Sequence, residues 1–107
     1  MLTPKQRQFL KAQAHHLKPV MKIGKGGVTA ALAAELDVMM DSLELVKLKL
    51  NDNTFEDLDS TIASLTSQVP GLEHVWTIGH TLLFFRASRK KPTQYPLPQV
   101  PPKGSVD

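Results

Sequence analysis

The hydrophobic period of this chain changes along its length, and that change limits the folds open to it. Val28, Leu32, Leu36, Met39 and Leu43 recur at intervals of four, four, three and four, the spacing of one helix face. Immediately afterwards Val46, Leu48 and Leu50 alternate with Lys47 and Lys49, the period of a strand with one apolar and one basic face. The helical period returns at Phe55, Leu58, Ile62, Leu65 and Val69, until Pro70-Gly71 stops it. Upstream, Leu10, Ala14 and Leu17 mark a first helix, about 4–16, with Thr3 as N-cap and Pro4 at the first helical position. Val20-Met21-Lys22-Ile23 then reads as a short strand. Downstream, Val75–Ile78 and Thr81–Arg86 flank Gly79-His80, a hairpin signal led by glycine. Thr29 is the expected cap of the second helix, 29–43, and Thr54 with Asp57 resembles a capping box for the third, about 54–69. The order is one helix, then strand, helix, strand, helix, strand, strand. It predicts an α/β fold with a mixed four-stranded sheet and parallel pairing at the first crossover.

With 107 residues, 41% hydrophobic and 21% charged, the chain suits one domain. Charge divides it more sharply than composition does. Residues 1–29 hold six Lys or Arg and no Asp or Glu, 30–85 hold two basic and nine acidic residues, and 86–107 hold five basic residues and one acid. A formal net charge of +3 therefore conceals two basic ends around an acidic middle. If the ends meet in the fold they make one positive face, which draws a polyanion by counterion release and long-range steering. From Ala87 the character changes: Arg89-Lys90-Lys91 is followed by five of the eight prolines. This divides the chain into a folded domain, 1–86, and an extended or disordered basic tail, 87–107. The absence of cysteine excludes disulfides, thiolate metal sites and cysteine nucleophiles. The N-terminus lacks an apolar signal core and no apolar run spans a bilayer, so a cytoplasmic protein without a membrane role is the expectation.

Chemistry concentrates in Gly24-Lys25-Gly26-Gly27. The loop joins a strand to a helix N-terminus, where unpaired N–H groups and the positive end of the helix dipole favour an anion. The missing side chains let a phosphate backbone approach, and Lys25, Lys22 and Lys18 supply charge. Such a GxxG loop clamps nucleic-acid backbone; the four letters alone favour a plain left-handed turn, and the strand–loop–helix placement with the flanking lysines shifts the reading toward RNA. The nucleotide-binding loops Gly-x-x-x-x-Gly-Lys-Ser/Thr and Gly-x-Gly-x-x-Gly do not occur. Arg7, Lys11 and His15 form a basic stripe on the first helix. The carboxylates Glu35, Asp37, Asp41, Glu44, Asp52, Glu56, Asp57 and Asp59 read mainly as solvated helix faces. His15, His16, His74 and His80 read as surface or helix-end residues. Aromatics are few: Phe9, Phe55, Phe84 and Phe85 fall on apolar patterns, leaving Trp76 and Tyr95 to stack on bases. No nucleophile motif or convergent metal ligands stand out, so an enzyme, a metal site and a cofactor are not expected.

Four ordered stretches carry a resemblance: Leu17-Lys18-Pro19-Val20, Gly24-Lys25-Gly26-Gly27-Val28-Thr29, Glu44-Leu45-Val46-Lys47-Leu48-Lys49, and Ile78-Gly79-His80-Thr81-Leu82-Leu83-Phe84-Phe85-Arg86. Together they are similar to the YhbY-like, or CRM (chloroplast RNA splicing and ribosome maturation), domain over about residues 3–86. The resemblance implies a single compact α/β domain similar to the C-terminal domain of translation initiation factor three. It also implies RNA binding, with ribosomal RNA in large-subunit precursors as the partner. The family's GxxG loop falls on Gly24, Lys25, Gly26 and Gly27, and its basic surroundings on Lys18, Lys22 and Arg86. One departure is Phe85-Arg86, where the family often has Tyr-Arg; the hydroxyl is lost and the apolar role kept.

The expected function is RNA binding in ribosome assembly by a monomer, with Arg7, Lys11, Lys18, Lys22 and Lys25 on phosphates and Arg86 beside them. The alternative is a protein-interaction module that binds a ribosomal protein or assembly factor through the basic tail or a hydrophobic sheet face.

Overall fold

The structure is a computed structural model that describes residues 2–24, 26–51 and 57–98. Helix α1 (Pro4–Gln13) opens with the expected cap: Thr3 Oγ1 accepts from Gln6 N, and the Gln6 side chain returns the bond to Thr3 N. Strand β1 (Pro19–Ile23) leads through the glycine loop to α2 (Ala30–Leu43), where Thr29 Oγ1 accepts from Leu32 N. After Glu44 the chain enters β2 (Leu45–Leu50). Helix α3 (Leu58–Gln68) is capped by Asp57, whose carboxylate accepts from Ser60 N. Of the expected capping box, Thr54 lies outside the described residues, as does Phe55, while Asp57 is itself the cap. Strands β3 (Glu73–Ile78) and β4 (Thr81–Phe85) form the hairpin, with Gly79 at φ 56.

The sheet order is β1-β2-β4-β3, with β1 and β2 parallel and the other two pairs antiparallel. The four-stranded mixed sheet with its parallel first crossover is the expected one. Alternation sorts the side chains onto two faces. On one face Ile23, Val46, Leu48, Leu50, Leu82 and Phe84 pack against Ala33, Leu36, Met40, Leu65 and Val69 of the α2–α3 layer. The opposite face is covered at one end only: there Leu45, Val75, Leu83 and Phe85 pack against Leu10 and Ala14. Leu10 is fully buried, a contribution of about 1.5–3 kcal/mol toward holding α1 in place.

Two details depart from the sequence reading. In α2 the buried stripe is Ala33, Leu36 and Met40, whereas Leu43, expected in the core, is 39% exposed. Met39 is likewise only half-buried, and Leu43 is the last residue of the helix, so the stripe runs through Ala33, Leu36 and Met40 in place of Met39 and Leu43. The acids of this stretch are not all solvated: Glu35 is exposed, but Asp41 and the cap residue Glu44 are buried. Arg89 clasps Asp41 with Nε and Nη2 on its two oxygens at 3.1 and 2.8 Å, a charge-assisted fork. Glu44 accepts from Ser88 N and Gln94 N. Residues 87–98 thus run, without helix or strand, from the end of α2 across the sheet end to α1. Tyr95 and Leu97 pack on the α1-side core there, and Pro98 O accepts from Gln6 Nε2. No described helix is long and apolar enough to cross a membrane.

Candidate nucleic-acid interface

Strand register builds the open part of the α1-side face. Lys22 of β1 pairs with Lys49 of β2, Lys49 with Thr81 of β4, and Thr81 with Ile78 of β3. Paired positions project to the same side, so Lys22, Lys49, Thr81 and Ile78 form one row across the sheet, spaced by roughly 4.8 Å per strand. The next row holds Lys47, Leu83 and Trp76. Helix α1 ends at Gln13 and leaves both rows partly uncovered. Lys47 Nζ donates to Leu17 O at 2.9 Å, which fixes one ammonium at the edge of α1. Lys11 Nζ lies 3.7 Å from the Trp76 ring centroid, a cation–π contact.

The glycine loop stands at the open end of these rows. Asn51 N donates to Ile23 O and Leu50 N to His80 O, so the β1 exit, the β2 exit and the hairpin turn converge there. Gly27 N closes the loop onto Gly24 O at 3.0 Å. Gly27 has φ 66, a left-handed conformation in which a side chain is strained. Gly26 is different: a Cβ built there meets nothing within 4 Å, so the space above it is open to a ligand. Gly24 is in ordinary contact range of the Asn51 side chain.

The expected site residues separate into two groups. Lys22 and Lys18 are exposed, and Lys22 stands directly before the glycine loop. Lys11 is also exposed, beside the uncovered rows. Lys25 lies outside the described residues. Arg7 is turned to the fold: its Nη1 donates to the carbonyl oxygens of His74 and Val75 and fastens α1 to β3. Arg86, expected beside RNA, is a correction. It is 6% exposed, and its guanidinium donates to the Asp37 and Asp41 carboxylates and to the carbonyls of Asp37 and Pro70. It sits at the far end of β4, where it is the counter-charge to Asp37 and Asp41. Lys47 and Lys49 lie outside the site residues expected from the sequence; the signal for them is their alternation with Val46, Leu48 and Leu50.

Three acids, Asp37, Asp41 and Glu44, are held at that same far end. Hydrogen bonds from Arg86 lower the Asp37 pKa below the ordinary carboxylate range, and hydrogen bonds from Arg89 do the same for Asp41. Burial would raise Glu44, but the backbone N–H groups of Gln94 and Ser88 prevail and lower it. The C-terminal basic stretch therefore does not join the N-terminal one in a single positive face: Arg86 and Arg89 are paired with Asp37 and Asp41 of the acidic middle. One end of the sheet holds acids neutralised by arginines, and the other presents lysines and a glycine turn.

The chain has well-covered relatives. Residues 2–86 match the CRS1 / YhbY (CRM) domain. The chain is 35% identical over 90 residues to the "Probable RNA-binding protein YqeI" of Bacillus subtilis, covering 84% of this chain and 93% of that one. It is 36% identical over 95 residues to an "RNA-binding protein" of Haemophilus influenzae, covering 89% and 95% respectively. The solution structure of the hypothetical protein SAV1595 from Staphylococcus aureus superposes with a TM-score of 0.74 at 33% identity, over 92% of this chain and 100% of that one. By sequence and by fold, then, the chain belongs to the CRS1/YhbY (CRM) domain family.

Proposed function

We propose that this protein binds RNA through the glycine loop and the lysines of the open sheet face, and that its RNA is ribosomal, in precursors of the large subunit. The observation that carries the reading is the row Lys22–Lys49 beside the glycine loop, with Asp37 and Asp41 of α2 paired to arginines at the opposite end of the sheet. Backbone N–H groups near the α2 N-terminus and mobile ammonium groups suit phosphates. Lys25 joins them by its place in the loop sequence. RNA binding is also in the names of the relatives, and the large-subunit target follows from the resemblance of the four motifs. In this reading the domain is a binding module without turnover, and it works in the cytoplasm as a monomer.

Of the two routes open to the protein-partner alternative, the basic tail is engaged by its own domain over residues 87–98, through Glu44, Ser42 and Asp41, which leaves the hydrophobic sheet face. The test is binding of labelled ribosomal RNA fragments across a salt series. Lys22→Glu with Lys25→Glu is expected to weaken binding and to make the slope of log K against log salt shallower by about 1–2. Unchanged affinity and slope in a folded double variant would reject the loop as the phosphate site.

A further inference from the structure

Trp76 is 42% exposed and its neighbour Ile78 63% exposed, on the face that α1 only half covers. Together they leave an apolar surface rimmed by lysines, the kind of patch that marks an interaction site. Beside Trp76 lies a cavity of about 250 Å³ whose walls include Lys11, His15, Lys47, Ile78 and Leu83. That is below the ~300–1,000 Å³ of drug-sized sites and suits one flat ring system. Its floor is apolar and its rim is cationic. Glu73, the carboxylate of the same strand, is at the other end of β3 and accepts from Leu2 N.

From this arrangement we infer that the Trp76 cavity is a stacking site for one unpaired nucleobase of the bound RNA. The inference rests on the RNA-binding reading above and adds the chemistry that recognises a single strand. The base takes the place of the Lys11 ammonium over the indole, and that ammonium moves to the adjoining phosphate. Lys47, held by Leu17 O, stands at the rim, and the row Lys49–Lys22 leads the backbone from the cavity to the glycine loop. A duplex keeps its bases stacked inside and has none to offer. The site therefore selects loops, bulges or single-stranded ends, and does so with little regard to base identity, since every base has a π face. The cationic rim favours this occupant over an acidic protein side chain, which would leave the indole unused.

Trp76 is the chain's only tryptophan, so its emission reports on the site directly. The full chain is titrated with an oligouridine decamer and with inorganic polyphosphate, and binding of labelled oligouridine is followed separately by anisotropy. Oligouridine is expected to quench Trp76 strongly, and polyphosphate, which has no bases, much less. Trp76→Leu is expected to weaken oligouridine binding roughly tenfold, and Trp76→Phe to retain most of it. The Phe variant guards against loss of fold. Lys11→Gln is expected to make the salt slope shallower by about 1 while quenching persists. Oligouridine binding without quenching, and equal affinity in the Leu variant, would overturn the stacking site and leave the phosphate face standing. Quenching by RNA-free ribosomal proteins but not by oligouridine would overturn it in favour of a protein partner. Absence of binding to any RNA would remove both readings.

Discussion

Gly26 and Gly27 adjoin one another and do different work. Gly27 holds φ 66, so Gly27→Ala is expected to cost about 1–2 kcal/mol, read by denaturant unfolding. Gly26 faces open space without a left-handed backbone. Gly26→Glu is therefore expected to melt with the parent and to bind RNA at least several-fold more weakly; equal binding would show that no backbone comes near. Arg86 illustrates the opposite case. Its charge resembled a ligand contact in the sequence, yet it is buried among Asp37, Asp41 and Pro70 O. Arg86→Met is expected to lower Tm by on the order of 10 °C and to leave RNA affinity unchanged at temperatures where the variant is folded. His74 was read as a surface residue but is half-buried, with Nε2 2.7 Å from Thr77 Oγ1 and its ring on Phe84. Burial lowers its pKa from the ordinary 6.5. The folded state thus binds fewer protons than the unfolded one, and stability falls as pH drops below about 6.5. His74→Gln is expected to flatten the dependence of unfolding free energy on pH between about 5 and 7, while an unaltered profile would assign it elsewhere.

At the level of elements, the segment 87–98 behaves as a strap. It has no repeating backbone pattern, and its hold comes from side chains of α2 and from Glu44, a buried residue at φ 65 that is itself uncommon outside glycine. The strap also covers the α1-side core with Tyr95 and Leu97. Truncation after Ala87 is expected to lower Tm by several degrees and to expose Phe85, measurable as increased binding of a hydrophobic dye. The sign of its acid response follows from the lowered pKa values of Asp37, Asp41 and Glu44. These carboxylates stay charged in the fold, so their contribution is complete above the ordinary carboxylate value near 4 and is lost as pH falls below it. Amide exchange at Ser88 and Gln94 should stay slow at pH 5 relative to a Glu44→Gln variant. Equally fast exchange in both proteins would show that the carboxylate does not hold the strap.

Across the whole molecule, the proposed RNA binding rests on a difference between the two ends of one sheet, Lys22 and Lys49 at one and the Arg86–Asp37–Asp41 cluster at the other. Periodicity, with the turn residues Pro70-Gly71 and Gly79-His80, determined the seven elements and their order, because helix and strand faces are local patterns of period 3.6 and 2. The caps Thr3 and Thr29 were equally legible, since a cap bonds a backbone group only three residues away. The glycine loop and its Lys22 were legible too, as neighbours in the chain. What the sequence withheld was every relation across the sheet. The row Lys22–Lys49–Thr81–Ile78 brings together residues from four strands, and it exists only through register. The fate of each arginine was decided the same way: Arg7 went to β3 carbonyls and Arg86 to acids 45–49 residues away. A charge written in the sequence is only a capacity to bind an anion. Which charges remain free for a ligand is settled when burial forces the others to pair within the fold.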